Sequence, residues 1–130
     1  MLMMEKTATL SADAKRLSSP GNREGLLLWH HVLLDGVRHS SYDLSARQMA
    51  LLLTVYLENI PHTVRGLAEY LNVSKPAVCR ALDALANEDL IQRRKDKNDR
   101  RNVFIEPTEK GFSFLSGFSE SILDRLMEIE

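Results

Sequence analysis

A chain of 130 residues, 44% of them hydrophobic and with a formal net charge of −1, has the material for one soluble domain with its own core. No apolar run reaches the length of a membrane span, and the opening Met-Leu-Met-Met passes at once into Glu5 and Lys6, so neither a transmembrane segment nor a secretory leader is expected. One cysteine, Cys79, excludes an intrachain disulfide, and the expected compartment is the bacterial cytoplasm.

In chain order, Met1 to about Asn22 is polar and closes on Ser18-Ser19-Pro20-Gly21. It is expected as a flexible arm over 1–22, partly helical around Leu10 to Leu17, ahead of a folded domain over 23–130. A long helix is expected from Arg23 to about His39. Leu26, Trp29, Leu33 and Val37 make one stripe on it, but Leu27, Leu28, Val32 and Leu34 carry apolar surface further round than one core needs. Such a helix is expected to be covered on two sides. Ser45 followed by Gln48 is a capping-box signature for the next helix, packed through Met49, Leu52, Leu53 and Tyr56 and ending near Asn59 and Pro61.

The stretch from His62 to Gly111 holds the densest pattern. Val64, Leu67, Ala68 and Leu71 recur at helical spacing behind Thr63, a suitable N-cap, and the helix should end at Asn72, which tolerates the left-handed conformation of a tight turn. Ser74 then caps a second helix, with Pro76 in its first turn where a missing N–H costs nothing. On this helix Val78, Leu82 and Leu85 share a face with Ala81 beside them, whereas Pro76, Arg80, Ala84 and Asn87 point roughly the other way. One face packs and the other is free to read. Ile91 to Arg94 and Asn102 to Glu106 read as two short strands joined by the polar loop Lys95 to Arg101, which makes the hairpin a wing. A last helix from about Thr108 carries Phe112, Phe114, Leu115, Phe118, Ile122, Leu123, Leu126 and Met127.

Charge is unevenly placed. From Ser74 to Arg101 eight Lys or Arg stand against five Asp or Glu, a local +3, while the rest of the chain carries −4. Lysines and arginines in an exposed loop neutralise phosphates and release counterions, an attraction that does not depend on base sequence and falls with salt.

The run LAEYLNVSKPAVCRALDALANEDLIQRRKDKNDRRNVFIEPTEKG resembles the bacterial MarR-type winged-helix transcription regulators, most specifically in Asp99-Arg100-Arg101 at the wing tip and Thr108-Glu109-Lys110-Gly111 at the hairpin exit. The resemblance covers about residues 22–125. It implies a mainly α fold with a small β-hairpin wing (α+β), a winged helix-turn-helix with N- and C-terminal dimerisation helices over about 23–39 and 108–130. It also implies a recognition helix over 74–88 in the major groove, placing Ser74, Lys75, Pro76, Ala77 and Arg80 at or near double-stranded DNA, with Thr63 at the head of the preceding helix. The wing over 95–101 would bring Lys97, Asp99, Arg100 and Arg101 to an adjacent minor groove, whose narrowness concentrates negative potential. Asp99 and Arg101, two apart on a strand-like tip, share a side, so Arg101 is expected in the groove and Arg100 on phosphate.

The apolar first and last helices exceed what a small winged helix buries alone. A homodimer is therefore expected, joined through Leu27, Leu28, Leu34, Phe114, Phe118 and Ile122 and presenting two reading heads to a pseudo-palindromic operator, as a repressor by analogy with the family. Only nineteen residues follow Gly111, fewer than is usual in the family, so a smaller or differently built dimer is expected.

Other readings were weighed against this one. A winged-helix protein-interaction module would use the same fold to hold another protein, with no need of the basic loop or Arg80 for binding. A metal- or ligand-sensing regulator could use His31, Asp35 and His39, with His30 or His62 added, but the outer pair is separated by about 12 Å of helical rise, too far for one ion. No metal and no cofactor is expected, and an effector has no identity in the sequence. Cys79 beside Arg80 is more simply a small packed residue than a redox sensor, and Trp29, Tyr42, Tyr56 and Tyr70 more simply packing aromatics than a ligand pocket. No nucleophile elbow, phosphate-cradling glycine loop or carboxylate pair singled out by context suggests an enzyme.

Overall fold

The computed structural model describes residues 12–17, 19 and 21–129. Residues 12–17 are helical (α1), and the rest of the expected arm lies largely outside the described residues. There follow α2 (Asn22–His39), α3 (Ala46–Leu57), α4 (Val64–Leu71), α5 (Lys75–Asn87), β1 (Ile91–Lys95), β2 (Val103–Pro107) and α6 (Glu109–Ile129). The chain divides into two compact units, one of Ser41–Gly117 and one that takes the chain up to Ser40 together with Phe118 onward.

In the first unit the local signals act as physical chemistry dictates. The Ser45 N–H donates to Gln48 Oε1 at 2.9 Å and the Gln48 N–H to Ser45 Oγ at 3.1 Å, so two donors that a helix start leaves orphaned are satisfied reciprocally. At the head of α4 the Gly66 N–H donates to Thr63 Oγ1 at 3.0 Å. Glycine is required there, since a Cβ would stand 2.4 Å from the Pro61 carbonyl oxygen. Asn72 closes α4 at φ 56° and ψ 47°, the left-handed conformation expected of it. Ser74 Oγ then accepts from the Ala77 N–H at 3.3 Å and starts α5.

The core of this unit is built on Leu51, Leu52 and Val55 of α3, Leu67 of α4, Val78, Leu82 and Leu85 of α5, and Leu90, Ile91 and Ile105 at the hairpin. Burying each such side chain contributes about 1.5–3 kcal/mol before entropy is counted. Of the inward residues expected on α3, Leu52 is buried while Met49, Leu53 and Tyr56 are half-buried; Leu51 and Val55 are buried beside Leu52. The cause is tertiary, because α3 meets α4, α5 and β2 together and its covered arc is wider than one stripe.

The strands pair antiparallel with Ile91 opposite Pro107, Arg93 opposite Ile105 and Lys95 opposite Val103. A third segment joins them. The Ile105 N–H donates to the His62 carbonyl at 2.7 Å and Thr63 bridges to Phe104, which ties the hairpin to the entry of α4. The hairpin base is locked by Tyr56, whose hydroxyl donates to the Leu90 carbonyl at 2.6 Å and accepts the Thr108 N–H at 3.0 Å. Gly111 makes room for it, since a Cβ there would overlap that hydroxyl.

In the second unit α2 meets the later part of α6 through one polar hub. Asp35 accepts from Ser121 Oγ at 2.7 Å and from Arg125 Nη2 and Nε at 3.1 and 3.3 Å. Those hydrogen bonds, Arg125 first, hold the Asp35 carboxyl at about 2, below its ordinary 3.8. Val32 is buried and Leu27, Leu28 and Leu34 are half-buried, but Leu26, Trp29, Leu33 and Val37 stand open at 48, 58, 48 and 79% exposure.

Candidate nucleic-acid interface

The two helices of the motif meet through Leu67 and Ala68 on one side and Val78, Ala81 and Leu82 on the other, which leaves Lys75, Pro76, Arg80, Asp83 and Asn87 exposed along α5. Neither Lys75 nor Arg80 is ion-paired with another of the described residues, and both are exposed. Ser74 is exposed at the helix start, with its hydroxyl accepting from Ala77. Ala77 itself is 7% exposed and belongs to the core. The resemblance sets it with Ser74 and Pro76 at or near DNA; in the chain the helix turns its methyl inward, one residue before buried Val78. Thr63 is half-buried, occupied both as the cap of α4 and in the bridge to Phe104.

At the wing tip a run of short polar bonds shapes the turn. Asp96 Oδ1 accepts from the Asn98 N–H at 2.9 Å and Asp99 Oδ1 from the Arg101 N–H at 3.1 Å, which are the local side-chain turns these residue types favour. The same Asp99 oxygen accepts from Arg101 Nε at 3.2 Å, so the guanidinium is oriented while its side chain remains 92% exposed. Lys95, Lys97 and Arg100 are exposed and are ion-paired with none of the described residues. Two arginines that the sequence reading did not single out lie on β1: Arg94 pairs with Glu106 at 2.8 Å and lies 4.9 Å over the Phe104 ring, and Arg93 pairs with Asp83 of α5 at 2.6 Å. The strand register could have shown the first, because Arg94 and Phe104 face each other directly across the ladder.

A helix-turn-helix with an exposed cationic face is followed at once by a cationic hairpin. The MarR family model matches residues 44–103. The matched segment takes in α3, α4, α5, β1 and the wing tip. The transcriptional regulator AdcR of Streptococcus pyogenes serotype M6 is 33% identical over 79 residues, 61% of this chain and 52% of that protein, so the chain spans about half the length of this curated relative. Among solved structures, the transcriptional regulator Tm0710 of Thermotoga maritima superposes with a TM-score of 0.69 at 21% identity, over 83% of this chain and 73% of that one. ZitR of Lactococcus lactis, a zinc-responsive MarR family member, superposes with a TM-score of 0.53 at 29% identity, over 70% of this chain and 64% of that one. The mainly helical architecture with one antiparallel hairpin is a fold shared with Tm0710.

The other readings fare unevenly. Among the described residues no three His, Cys, Asp or Glu side chains are grouped to hold one metal ion, and Asp35 is committed to Ser121 and Arg125. Tyr42 and Tyr56 are packing aromatics, in edge contact with Phe114 and Phe112 respectively. Trp29 and Tyr70 are open at 58 and 51%. No helix among the described residues is long and apolar enough to cross a membrane.

Of the six residues expected to join two chains, Leu27, Leu28, Leu34, Phe114, Phe118 and Ile122, all are half-buried within the single chain. Phe114 meets Tyr42 edge-on at 5.2 Å, and Phe118 lies beside Gly36. More open than these on the same two helices are the α2 stripe already named, and Leu123, Leu126 and Met127 of α6 at 56, 42 and 75% exposure.

Proposed function

We propose that the chain is a homodimeric transcription regulator, a repressor, that binds double-stranded DNA at a pseudo-palindromic operator in the cytoplasm and has no catalytic role. Residues 74–88 enter the major groove and the wing over 95–101 an adjacent minor groove. The observation that carries this reading is the free cationic face, Lys75 and Arg80 on α5 with Lys97, Arg100 and the Asp99-oriented Arg101 on the wing, all exposed around a motif of MarR type. Arg80 has the reach and the five-donor fork to pair with a guanine edge, and Arg101 enters the groove already oriented.

Dimerisation is supported by the open stripe of Leu26, Trp29, Leu33 and Val37 and by Leu123, Leu126 and Met127. Apolar surface of this extent on one unit is what a second copy would cover. Anisotropy titrations of a labelled duplex at several salt concentrations test the DNA reading: binding should weaken linearly in log–log coordinates, and Arg100→Ala should flatten the slope by about one counterion unit. A chain that binds no duplex at low salt would instead be a protein-interaction module.

A further inference from the structure

Three arginines of the hairpin carry a carboxylate, Arg93 with Asp83, Arg94 with Glu106 and Arg101 with Asp99. The first differs from the others because its carboxylate comes from the recognition helix. At about 100° per residue, Pro76, Arg80, Asp83 and Asn87 fall within an arc of about 60°, so Asp83 shares the exposed face with Arg80 and Asn87. Its side chain is 64% exposed. A bare carboxylate in that position would repel phosphate. Asp83 Oδ1 instead accepts from Arg93 Nη2 at 2.6 Å, and the pair sums to zero charge.

An ion pair this open contributes little to folding. Its consequence lies in the charge that the face presents. Arg93, 36% exposed at the edge of β1, would otherwise be one more cation within reach of a duplex backbone. Building on the DNA-binding reading, we propose that Asp83 is a positioning residue that limits the sequence-independent part of DNA affinity by holding Arg93 as a neutral pair. The device keeps the basic patch, a local +3 between Ser74 and Arg101, from growing by one further charge at the recognition helix.

The sign pattern of three variants tests it. On a random-sequence duplex, Asp83→Asn releases Arg93 and should steepen the log–log salt slope by about 0.9, which adds a loss of about 3.5-fold between roughly 50 and 200 mM salt, with tighter binding at the low end. Arg93→Gln leaves the carboxylate bare and should move slope and affinity the opposite way. The double variant, neutral at both positions, should return to the wild-type slope. Circular dichroism melts of all three should lie close to wild type. If both single variants weaken binding alike and the double variant does not restore it, the pair is only a strut and the inference is overturned. A wild-type chain that binds no duplex at low salt overturns the DNA reading itself, a result distinct from any ordering of the variants.

Discussion

The two units of the chain solve the burial problem in opposite ways. In Ser41–Gly117, Leu51, Leu52, Leu67, Leu82, Leu85 and Leu90 are fully covered by the unit's own helices and hairpin. In the other unit, α2 buries only Val32 among its many apolar side chains, and Trp29 and Val37 stand open at 58 and 79%. A winged helix closes around a small core because three helices and a hairpin surround it, whereas helix surface of the kind α2 and the later part of α6 present needs a second layer. The difference separates the part that folds on itself from the part whose apolar side chains stay open.

Truncation at matching leucines should give the largest contrast. Leu82→Ala, at a fully buried site, should cost about 2–5 kcal/mol by chemical denaturation, because the cavity lies between elements that cannot all collapse. Leu33→Ala, at a 48% exposed site, should change stability far less in dilute monomer. Equal losses would mean that α2 has a covered core of its own. The open surface is then tested directly by Leu33→Asp combined with Leu126→Asp. Sedimentation equilibrium should show a wild-type dimer and a monomeric variant of native helix content, and a wild type that stays monomeric at micromolar concentration would remove the partner from the comparison.

Smaller effects sharpen the closed unit. Arg80→Ala should cost about 1–3 kcal/mol at a cognate site and spare most binding to random duplex, and equal losses on both would make Arg80 a phosphate contact. Ser74→Ala removes the acceptor for the Ala77 N–H and should cost about 1 kcal/mol of stability in thermal melts. The smallest change is expected at Asp35. Its carboxyl is held at about 2 against an ordinary 3.8, so it adds stability above pH 3.8 that is lost as pH falls toward 2. Asp35→Asn should remove that acid-limb contribution, which melts between pH 2 and 5 would show as a flatter profile.

Much of the winged helix was legible because its signals are local. Thr63, Asn72 and Ser74 act within three residues of themselves, and Ser45 with Gln48 closes its own box, so no distant contact is needed to place them. The His62 and Thr63 link to β2 was not legible, since it joins residues some forty positions apart with no turn signal between them. Arg93 was passed over for the same reason, its partner Asp83 lying ten residues back on another element.

By itself the sequence determined the order of elements, the caps and turn of the reading motif, and a resemblance over about residues 22–125, of which the family model matches 44–103, because hydrophobic period, capping chemistry and turn residues all act over a few positions. Only the tertiary structure decided which apolar residues remain open and which cations remain free. Leu27 and Leu28 turn partly inward while Leu26 and Trp29 do not, Ala77 joins the core, and Arg93 is claimed by Asp83 whereas Lys75 and Arg80 keep their charge for a ligand. Helical periodicity states which residues share a face, but what covers that face depends on elements brought together from elsewhere in the chain.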